Sequence, residues 1–543
     1  LCVGLWLSAL ETTIVATVLV SVASSLGDFH RSNWIVTSYL LTYTGFLTIF
    51  ARCSDVFGRK TILLIGLVIF TLASYACGLA NSMIQLIIFR AFQGLGGAGI
   101  YSLAMRVLTE IPDEKTMGPV AGLIGMVFAC SSIAGPLLGG AIASTTNWNW
   151  VFFLNVPAGA ILIVLAAVIF PNNEKPLHNT FKDILRVDWI GCWLSLAFIA
   201  LLIFALESGG NEFEWNSAQI TTSLVGSVAC ILLFGLWEAY LGKLPEDHPT
   251  LPIFPFRLLK NWTLNIALIT AFIIGFPFMI TIIYLPQSLQ VAASRSTIRA
   301  GIDIIPLLIF SALGSGLGGA FCARKPIERE ILTFSFALQL LGLGLLYYAP
   351  LKRSVTAGQY AYECIAGLGF GFSLSTIVIV ARRAVQPDDL SVAMGFITQI
   401  RVLGALVGVA CTQTLLNAVT RRDLVTFLGP ADMAALRDSI QTIGKFPREQ
   451  QEAVRSSYAR GYKSQIIVSL GTAAAGFIIV LCMSIVNRRK SKTAEKRVSE
   501  HEEERELQRV SREPSQDLHP ALRPLEDDLQ SPPPVQVHSY IDA

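Results

Sequence analysis

The chain has 543 residues, of which 53% are hydrophobic and only 15% are charged, and its mean hydropathy is +0.58. Soluble globular proteins carry about 25% charged residues, so this composition excludes an ordinary soluble protein and indicates a polytopic membrane protein. The net charge of +3 is spread over short loops and indicates no nucleic acid partner. Because the ten cysteines contain no Cys-x-x-Cys pair, neither a disulfide framework nor a metal site is predicted.

Apolar windows follow one another along the chain, each bounded by charges or by Pro, Gly and Asn. A helix needs about 20 residues to cross a bilayer, and by this measure the sequence predicts fourteen transmembrane helices. They centre near residues 12, 42, 70, 94, 130, 160, 197, 230, 275, 311, 340, 370, 405 and 475. The connections are mostly short, as in a bundle of antiparallel neighbours.

The short loops differ in their content of Lys and Arg. The loops that follow even-numbered helices carry sixteen of these residues and the opposite loops carry five, when the long loop near 420–462 is set aside. Cytoplasmic loops carry an excess of Lys and Arg. We therefore expect both termini on the cytoplasmic side and the loop near 420–462 on the other side.

The C-terminal segment differs from the rest of the chain in its high content of charged residues and proline. Residues 487–543 open with "NRRKSKTAEKR" and continue as a mixed-charge, Pro-rich segment, which predicts a disordered cytoplasmic tail. A polybasic segment beside a transmembrane helix can also hold anionic lipid. The sequence starts with Leu1 rather than Met, so we expect that an N-terminal piece precedes it.

Few ionisable residues fall inside the predicted helices. Such residues are costly in hydrocarbon and mostly face a bundle interior or a watery cavity, which makes Glu11, Arg90 and Arg401 the leading candidates for a functional site. Gln93 lies three residues after Arg90, on the same helix face. Glu363 lies a few residues inside a Gly-rich helix, where a functional role and a packing role are equally open. Three further acids near helix ends are expected at the membrane interface: Glu207, Glu238 and Asp303.

The loop "SDVFGRK" places a carboxylate, a glycine and two cations before a new apolar helix. Asp55 can accept hydrogen bonds at a helix N-terminus, where negative charge is favoured. Gly58 permits a tight turn, while Arg59 and Lys60 serve as cytoplasmic anchors. An ordinary positive-inside loop could have the same composition.

The fifth predicted helix combines a small-residue face with a proline in "AGPLLGG". Gly135 and Gly139 form a close-packing pattern that continues at Gly140, and Pro136 removes one backbone donor. Such a face could bend and slide at a moving interface, or serve packing alone. Weaker repeats of the theme occur later, at Gly314 and Gly318, Gly367 and Gly371, and Gly404 and Gly408.

Taken together, four ordered motifs resemble those of the major facilitator superfamily over about residues 1–486. The loop motif resembles its signature between helices two and three, "RAFQGLGGAG" its fourth-helix element, "SSIAGPLLGGAI" its antiporter element, and "LETTIVATVL" the first-helix element of the fourteen-helix drug:proton antiporter branch. Three positions depart from these patterns: Ala51 replaces a glycine, Glu11 an aspartate and Val20 a proline.

The resemblance implies an all-α integral membrane protein with two six-helix bundles, in residues 1–185 and 261–486, joined by two linking helices in residues 186–260. It implies proton-coupled efflux of small, largely apolar compounds, such as a fungal toxin, a secondary metabolite or drugs. In that reading Glu11 carries the proton beside Arg90 or Arg401, and the proton gradient replaces any cofactor. A monomer in the plasma membrane is expected, with the vacuolar membrane as the alternative.

Two other functions are alternatives to efflux. A proton-coupled importer of a nutrient or siderophore could use the same fold, although the antiporter-type fifth helix argues against it. A membrane-embedded enzyme is not expected, because no His/Asp constellation lies at a helix. All six histidines fall in predicted loops or in the tail: His30, His178, His248, His501, His519 and His538.

Overall fold

The computed structural model describes most of the chain as helices joined by short connections. The described residues are 1–110, 117–170, 187–210, 212–244, 250, 252–325, 327–349, 356–386, 389–429, 432–433, 436, 443 and 446–510. Within these residues no β-sheet forms, and one isolated bridge between Gly209 and Phe213 closes a loop.

Fourteen long helical segments follow one another. The first seven are α1 Cys2–Leu26, α2 Asn33–Phe57, α3 Arg59–Gly78, α4 Met83–Glu110, α5 Met117–Thr145, α6 Trp150–Ile169 and α7 Trp189–Ser208. The other seven are α8 Ala218–Leu241, α9 Trp262–Val291, α10 Thr297–Cys322, α11 Glu328–Tyr348, α12 Ala357–Ala384, α13 Leu390–Leu424 and α14 Arg448–Val510. Helix α6 is interrupted at Leu154, and α10 is interrupted at Ile304.

These helices have the dimensions of membrane spans. Thirteen contain stretches that are long and apolar enough to cross a bilayer, while the described apolar stretch of α5 is the shorter Ile133–Thr145. Large apolar side chains are exposed on the outer helices, for example Val168 at 77% and Leu236 at 69%, as expected where lipid replaces water as the solvent. The protein is a multi-pass membrane protein, and the predicted all-α membrane fold is confirmed, with thirteen to fourteen candidate membrane helices among the described residues.

The same packing scheme occurs in both halves of the chain. In the first half α1 packs on α5, and α4 packs on both α2 and α3. In the second half α9 packs on α13 and α12 packs on both α10 and α11, which are the equivalent pairs when α9 is matched to α1. This repeat is the arrangement of two six-helix bundles, with α7 and α8 as the linking pair.

Small residues allow the closest of these contacts. On α9 and α13, a Cβ atom on Gly275 would meet the Arg401 carbonyl oxygen, and one on Gly404 would meet the Phe272 carbonyl oxygen. The glycines of α10 and α12 fit together in the same way, Gly314 against Leu368 and Gly367 against Leu307. Because lipid provides no hydrophobic drive between helices, close approach of backbones is a main source of their association.

The linking helices are attached by buried polar groups. Glu207 on α7 accepts a hydrogen bond from the Asn33 side chain at 2.6 Å, and Glu238 on α8 accepts one from the Phe254 amide at 3.2 Å. Both acids, and Asp303, are buried within the protein, with exposures of 4%, 2% and 4%, while their expected position at the membrane interface stays a prediction. Proximity to a helix end did not expose these side chains, because neighbouring segments pack over them.

The last two helices extend beyond their predicted limits. Helix α13 reaches Leu424 and α14 begins at Arg448, so the connection between them is shorter than the predicted loop near 420–462, much of which lies outside the described residues. Helix α14 continues to Val510, through a segment rich in the helix formers Glu, Lys and Arg. The tail was expected to be disordered from 487 onward, and its residues 511–543 lie outside the described residues.

We predict that Gly404→Ala destabilises the protein, because the added methyl group would meet the α9 backbone at Phe272 and force α9 and α13 apart. Gly344→Ala on α11 is the matched control, since its Cβ would meet no atom within 4 Å and alanine favours helix by about 1 kcal/mol. Thermal unfolding of both variants in detergent is the measurement. Equal melting temperatures for the two variants would contradict the packing account.

Candidate functional site

A buried ion pair lies at the centre of the first bundle. Arg90 on α4 donates from Nη1 to Oε1 of Glu11 on α1. The two side chains are 1% and 0% exposed. The Arg90 Nε group donates to the Ile35 carbonyl oxygen of α2 at 3.0 Å, so this one side chain connects three helices.

Neutral side chains complete the hydrogen bonding of the pair. Asn155 on α6 donates to the second oxygen of Glu11 at 2.6 Å, and Arg90 also donates to Oε1 of Gln93 at 2.7 Å. Gln93 in turn donates to the Ser74 hydroxyl of α3 at 2.8 Å. Hydrogen bonds that involve a charged group are shorter and about twice as strong as neutral ones, and a buried ion pair is tolerated only when such partners are present.

Aromatic rings enclose the guanidinium group. Its carbon lies 4.3 Å from the centroid of the Tyr39 ring and 5.7 Å from that of Phe152. Tyr39 stacks on Tyr43 at 5.7 Å, and Tyr43 contacts Tyr101 edge-on, also at 5.7 Å. A desolvated cation–π contact contributes about 2 kcal/mol, so the rings help to hold Arg90 in place once it has left water.

The predicted proton-coupling residues do not all lie at one site. The structure brings together Glu11, Arg90 and Gln93, and it selects Arg90 rather than Arg401 as the partner of Glu11. Arg401 lies partly buried on α13, close enough to the Tyr43 hydroxyl for an electrostatic interaction. Glu363 is fully buried on α12 and accepts a hydrogen bond from Gln359 at 3.1 Å, so it belongs to the second bundle.

The fifth-helix motif lies between the ion pair and the second bundle. Gly135 and Gly139 pack against α1 at Thr13 and Ile14, immediately after Glu11. The other face of the same segment packs against the first turn of α10, where Gly140 meets Ile298 and the Pro136 carbonyl oxygen meets Gly301. Helix α5 therefore contacts both the helix that carries Glu11 and a helix of the other bundle.

The loop motif forms the turn between α2 and α3. Gly58 has φ of 86°, a conformation that side chains with a Cβ rarely adopt, and it ends α2 while α3 begins at Arg59. Lys60 follows in the first turn of α3. The side chain of Asp55 lies outside the described residues, so its predicted contact with a helix N-terminus stays a prediction.

Several residues of the site are not evident from the sequence, and Asn155 and Tyr39 are the two that contact the ion pair most directly. Asn155 lies 144 positions from Glu11, in a segment that otherwise resembles a typical apolar helix. The available signal was a lone amide at the start of that segment, in "FLNVPAG". Tyr39 was hidden among the aromatic residues of α2, since sequence alone does not tell which ring meets a cation.

No group of three or more potential metal ligands from His, Cys, Asp and Glu occurs among the residues that the structure describes. The site therefore consists of one carboxylate, one guanidinium and neutral hydrogen-bonding groups. Such a set can bind and release a proton, because the Glu11 carboxylate is titratable. Protonation of Glu11 would remove the negative charge that Arg90 and Asn155 contact.

Comparison with known proteins gives consistent matches. Residues 1–409 match the Major Facilitator Superfamily. The MFS-type transporter FPY5 of Fusarium mangiferae is 41% identical over 496 residues, covering 89% of this chain and 82% of that protein. Multidrug resistance protein 3 of Bacillus subtilis (strain 168) is 30% identical over 486 residues, covering 90% of this chain and 92% of that protein.

An efflux pump and a solved structure also match. The MFS-type efflux pump LUC4 of a Fusarium species is 29% identical over 515 residues, covering 92% of this chain and 89% of that protein. The crystal structure of a bacterial homologue of the human lysosomal transporter Spinster, inward-facing and occupied, superposes with a TM-score of 0.58 at 15% identity, covering 89% of this chain and 95% of that one. At this identity the likeness concerns the fold.

We predict that Arg90→Met lowers stability by about 3–5 kcal/mol, the usual effect of leaving one buried charge unpaired. The double variant Glu11→Gln/Arg90→Met removes both charges, and its loss should be smaller than that of Arg90→Met alone. Denaturation of the purified single and double variants measures the coupling between the two residues. A double variant whose loss equals the sum of the single losses would show that the ion pair is not energetically coupled.

Proposed function

The chain belongs to the Major Facilitator Superfamily, and we propose that within this family of transporters it works as a proton-coupled efflux carrier. The family implies a small-molecule substrate, and its members generally need no cofactor. The observation that carries the proposal is the buried ion pair of Glu11 and Arg90. Glu11 is a titratable group inside a membrane-spanning bundle, where ionisable residues are costly and usually functional.

Protonation of Glu11 provides the chemical switch. When Glu11 is ionised it accepts hydrogen bonds from Arg90 and Asn155. A proton on Glu11 removes the charge from this acceptor, and Arg90 keeps its contacts with Gln93, the Ile35 carbonyl oxygen and the Tyr39 ring. The two protonation states therefore favour different positions of α1 against α4 and α6.

The contact surface of α5 can transmit this change. Any movement of α1 around Thr13 and Ile14 acts on the Gly135 and Gly139 face, and the opposite face of α5 lies on α10. At Gly135 and Gly139 the α5 face carries no side chain of its own, and the Thr13, Ile14 and Thr17 side chains of α1 lie directly on it. We propose that such a small-residue interface permits small shifts of one helix against the other. Alternating access would follow from the bundles rocking about this interface, with substrate near the midplane between them.

The substrate site is proposed beside the aromatic series of Tyr39, Tyr43 and Tyr101. Phe128 extends the series, 6.2 Å from Tyr101, and Arg401 lies near Tyr43 from the other bundle. Aromatic walls suit bulky apolar organic compounds, such as a fungal secondary metabolite or toxin, and substrate binding there would compete with the proton on the nearby Glu11. We propose that Glu11, Arg90, Gln93 and Arg401 act in this cycle.

The direction of transport and the setting are also part of the proposal. Among the relatives, LUC4 is named an efflux pump and the Bacillus subtilis protein is named a multidrug resistance protein. The distribution of Lys and Arg supports cytoplasmic termini. We propose that a monomer works in the plasma membrane, with the vacuolar membrane as the alternative, and that the basic segment after 487 contacts anionic lipid.

We predict that the wild-type protein, expressed in a yeast host that lacks its main drug pumps, confers resistance to at least one compound from a panel of fungal metabolites and drugs. Cellular accumulation of that compound should fall, and this fall should be abolished by Glu11→Gln because the variant cannot cycle a proton. Growth and accumulation are measured together, at matched expression.

Glu214→Gln is the matched control, since it makes the same chemical change at an exposed acid between α7 and α8, and it should transport like wild type. If the wild-type protein lowers the accumulation of no compound, efflux is refuted. If Glu11→Gln transports like the control, Glu11 is not the coupling group. Uptake driven by an inward proton gradient would support the importer instead.

A further inference from the structure

A second buried carboxyl group has a different environment from Glu11. Glu363 on α12 is 0% exposed. Its Oε1 atom accepts a hydrogen bond from Gln359 at 3.1 Å, whereas its Oε2 atom is buried and has no hydrogen-bond partner among the described residues. No ion pair to Glu363 occurs in the part of the chain that the structure describes, in contrast to Glu11 with its arginine.

Among the described residues, the groups around Glu363 provide no compensating positive charge. Asp303 faces it from α10 and Tyr462 from α14, while Tyr360 and Cys364 lie on its own helix. The nearby cation is Arg295, and it is paired with Asp303, with 3.1 Å between Nε and Oδ2. The Tyr360 hydroxyl group also donates to Asp303, at 2.7 Å.

An ionised Glu363 would therefore be a buried charge with one unsolvated oxygen and a carboxylate as its neighbour. Proteins avoid that arrangement by neutralising the group. We propose that Glu363 is a second proton-binding site, located in the second bundle and occupied by a proton in this conformation. Glu11 differs in that both of its oxygens accept hydrogen bonds, from Arg90 and from Asn155, which favours its ionised form.

A short series of contacts connects this site to the interface between α10 and α5, which we propose to move during transport. Asp303 is the last residue of the first segment of α10, which is interrupted at Ile304. Two residues earlier, Gly301 packs on the Pro136 carbonyl oxygen of α5. Loss of the Glu363 proton would add a negative charge beside Asp303 and compete for Arg295 and Tyr360, which would strain the segment Thr297–Asp303 against α5.

The functional consequence rests on the proposed efflux cycle. If both sites exchange protons during one turnover, each bundle contributes one titratable group and two protons move per cycle. The existence of the Glu363 site does not depend on efflux, because its protonation is a property of the resting protein.

The test is infrared spectroscopy of the purified full-length protein in lipid, with the proton itself as the probe. A protonated carboxyl group gives a carbonyl band that shifts when water is replaced by heavy water. We expect the difference spectrum between wild type and Glu363→Gln to show the loss of one such band at neutral pH, and the band to weaken as the pH is raised. The corresponding difference spectrum for Glu11→Gln should show no such loss.

A wild-type and Glu363→Gln difference spectrum without a protonated-carboxyl band would overturn the proposal. If Glu363→Gln fails to fold, Glu363→Asp should keep the band at a changed frequency, and an unchanged frequency would assign the band to another residue. A resistance assay that fails while this band is present would refute efflux alone.

Discussion

The fold depends on holding one pair of opposite charges in a place without water. Glu11 and Arg90 lie in the interior of the first bundle, where each charge alone would be very costly. Three effects offset this cost: the mutual attraction of the pair, five further polar or aromatic partners of Arg90 and Glu11, and the distribution of these partners over several helices. The same groups that make the pair tolerable fix the relative positions of α1, α2, α4 and α6.

This arrangement explains why the neighbouring helices contain so many small residues. A side chain on the α5 face would push α1 away from its position, and Gly135 and Gly139 avoid that contact. In the second bundle the same need is met by the glycines of α10, α12 and α13. The ion pair and the glycines thus act on the same helix. The ion pair determines where α1 lies, and the glycines of α5 allow α1 to shift at that interface.

The sequence was sufficient for features that depend on local composition. Each apolar window became a helix, Gly58 took the backbone conformation that a tight turn needs, and the small-residue faces became helix contacts. It was not sufficient for features that depend on distant partners. Glu11 and Arg90 are 79 positions apart, so the choice of Arg90 over Arg401 required the three-dimensional arrangement, as did the recruitment of Asn155 and the burial of Glu207.

In the proposed cycle a proton and the substrate compete through Glu11. The most direct measurement is proton release, followed with a pH indicator in weakly buffered solution, when a compound exported by the protein is added to purified protein at mildly acidic pH. We expect proton release from the wild-type protein, and we expect this release to disappear in Glu11→Gln while the compound still binds. Equal proton release from wild type and from Glu11→Gln would contradict this competition.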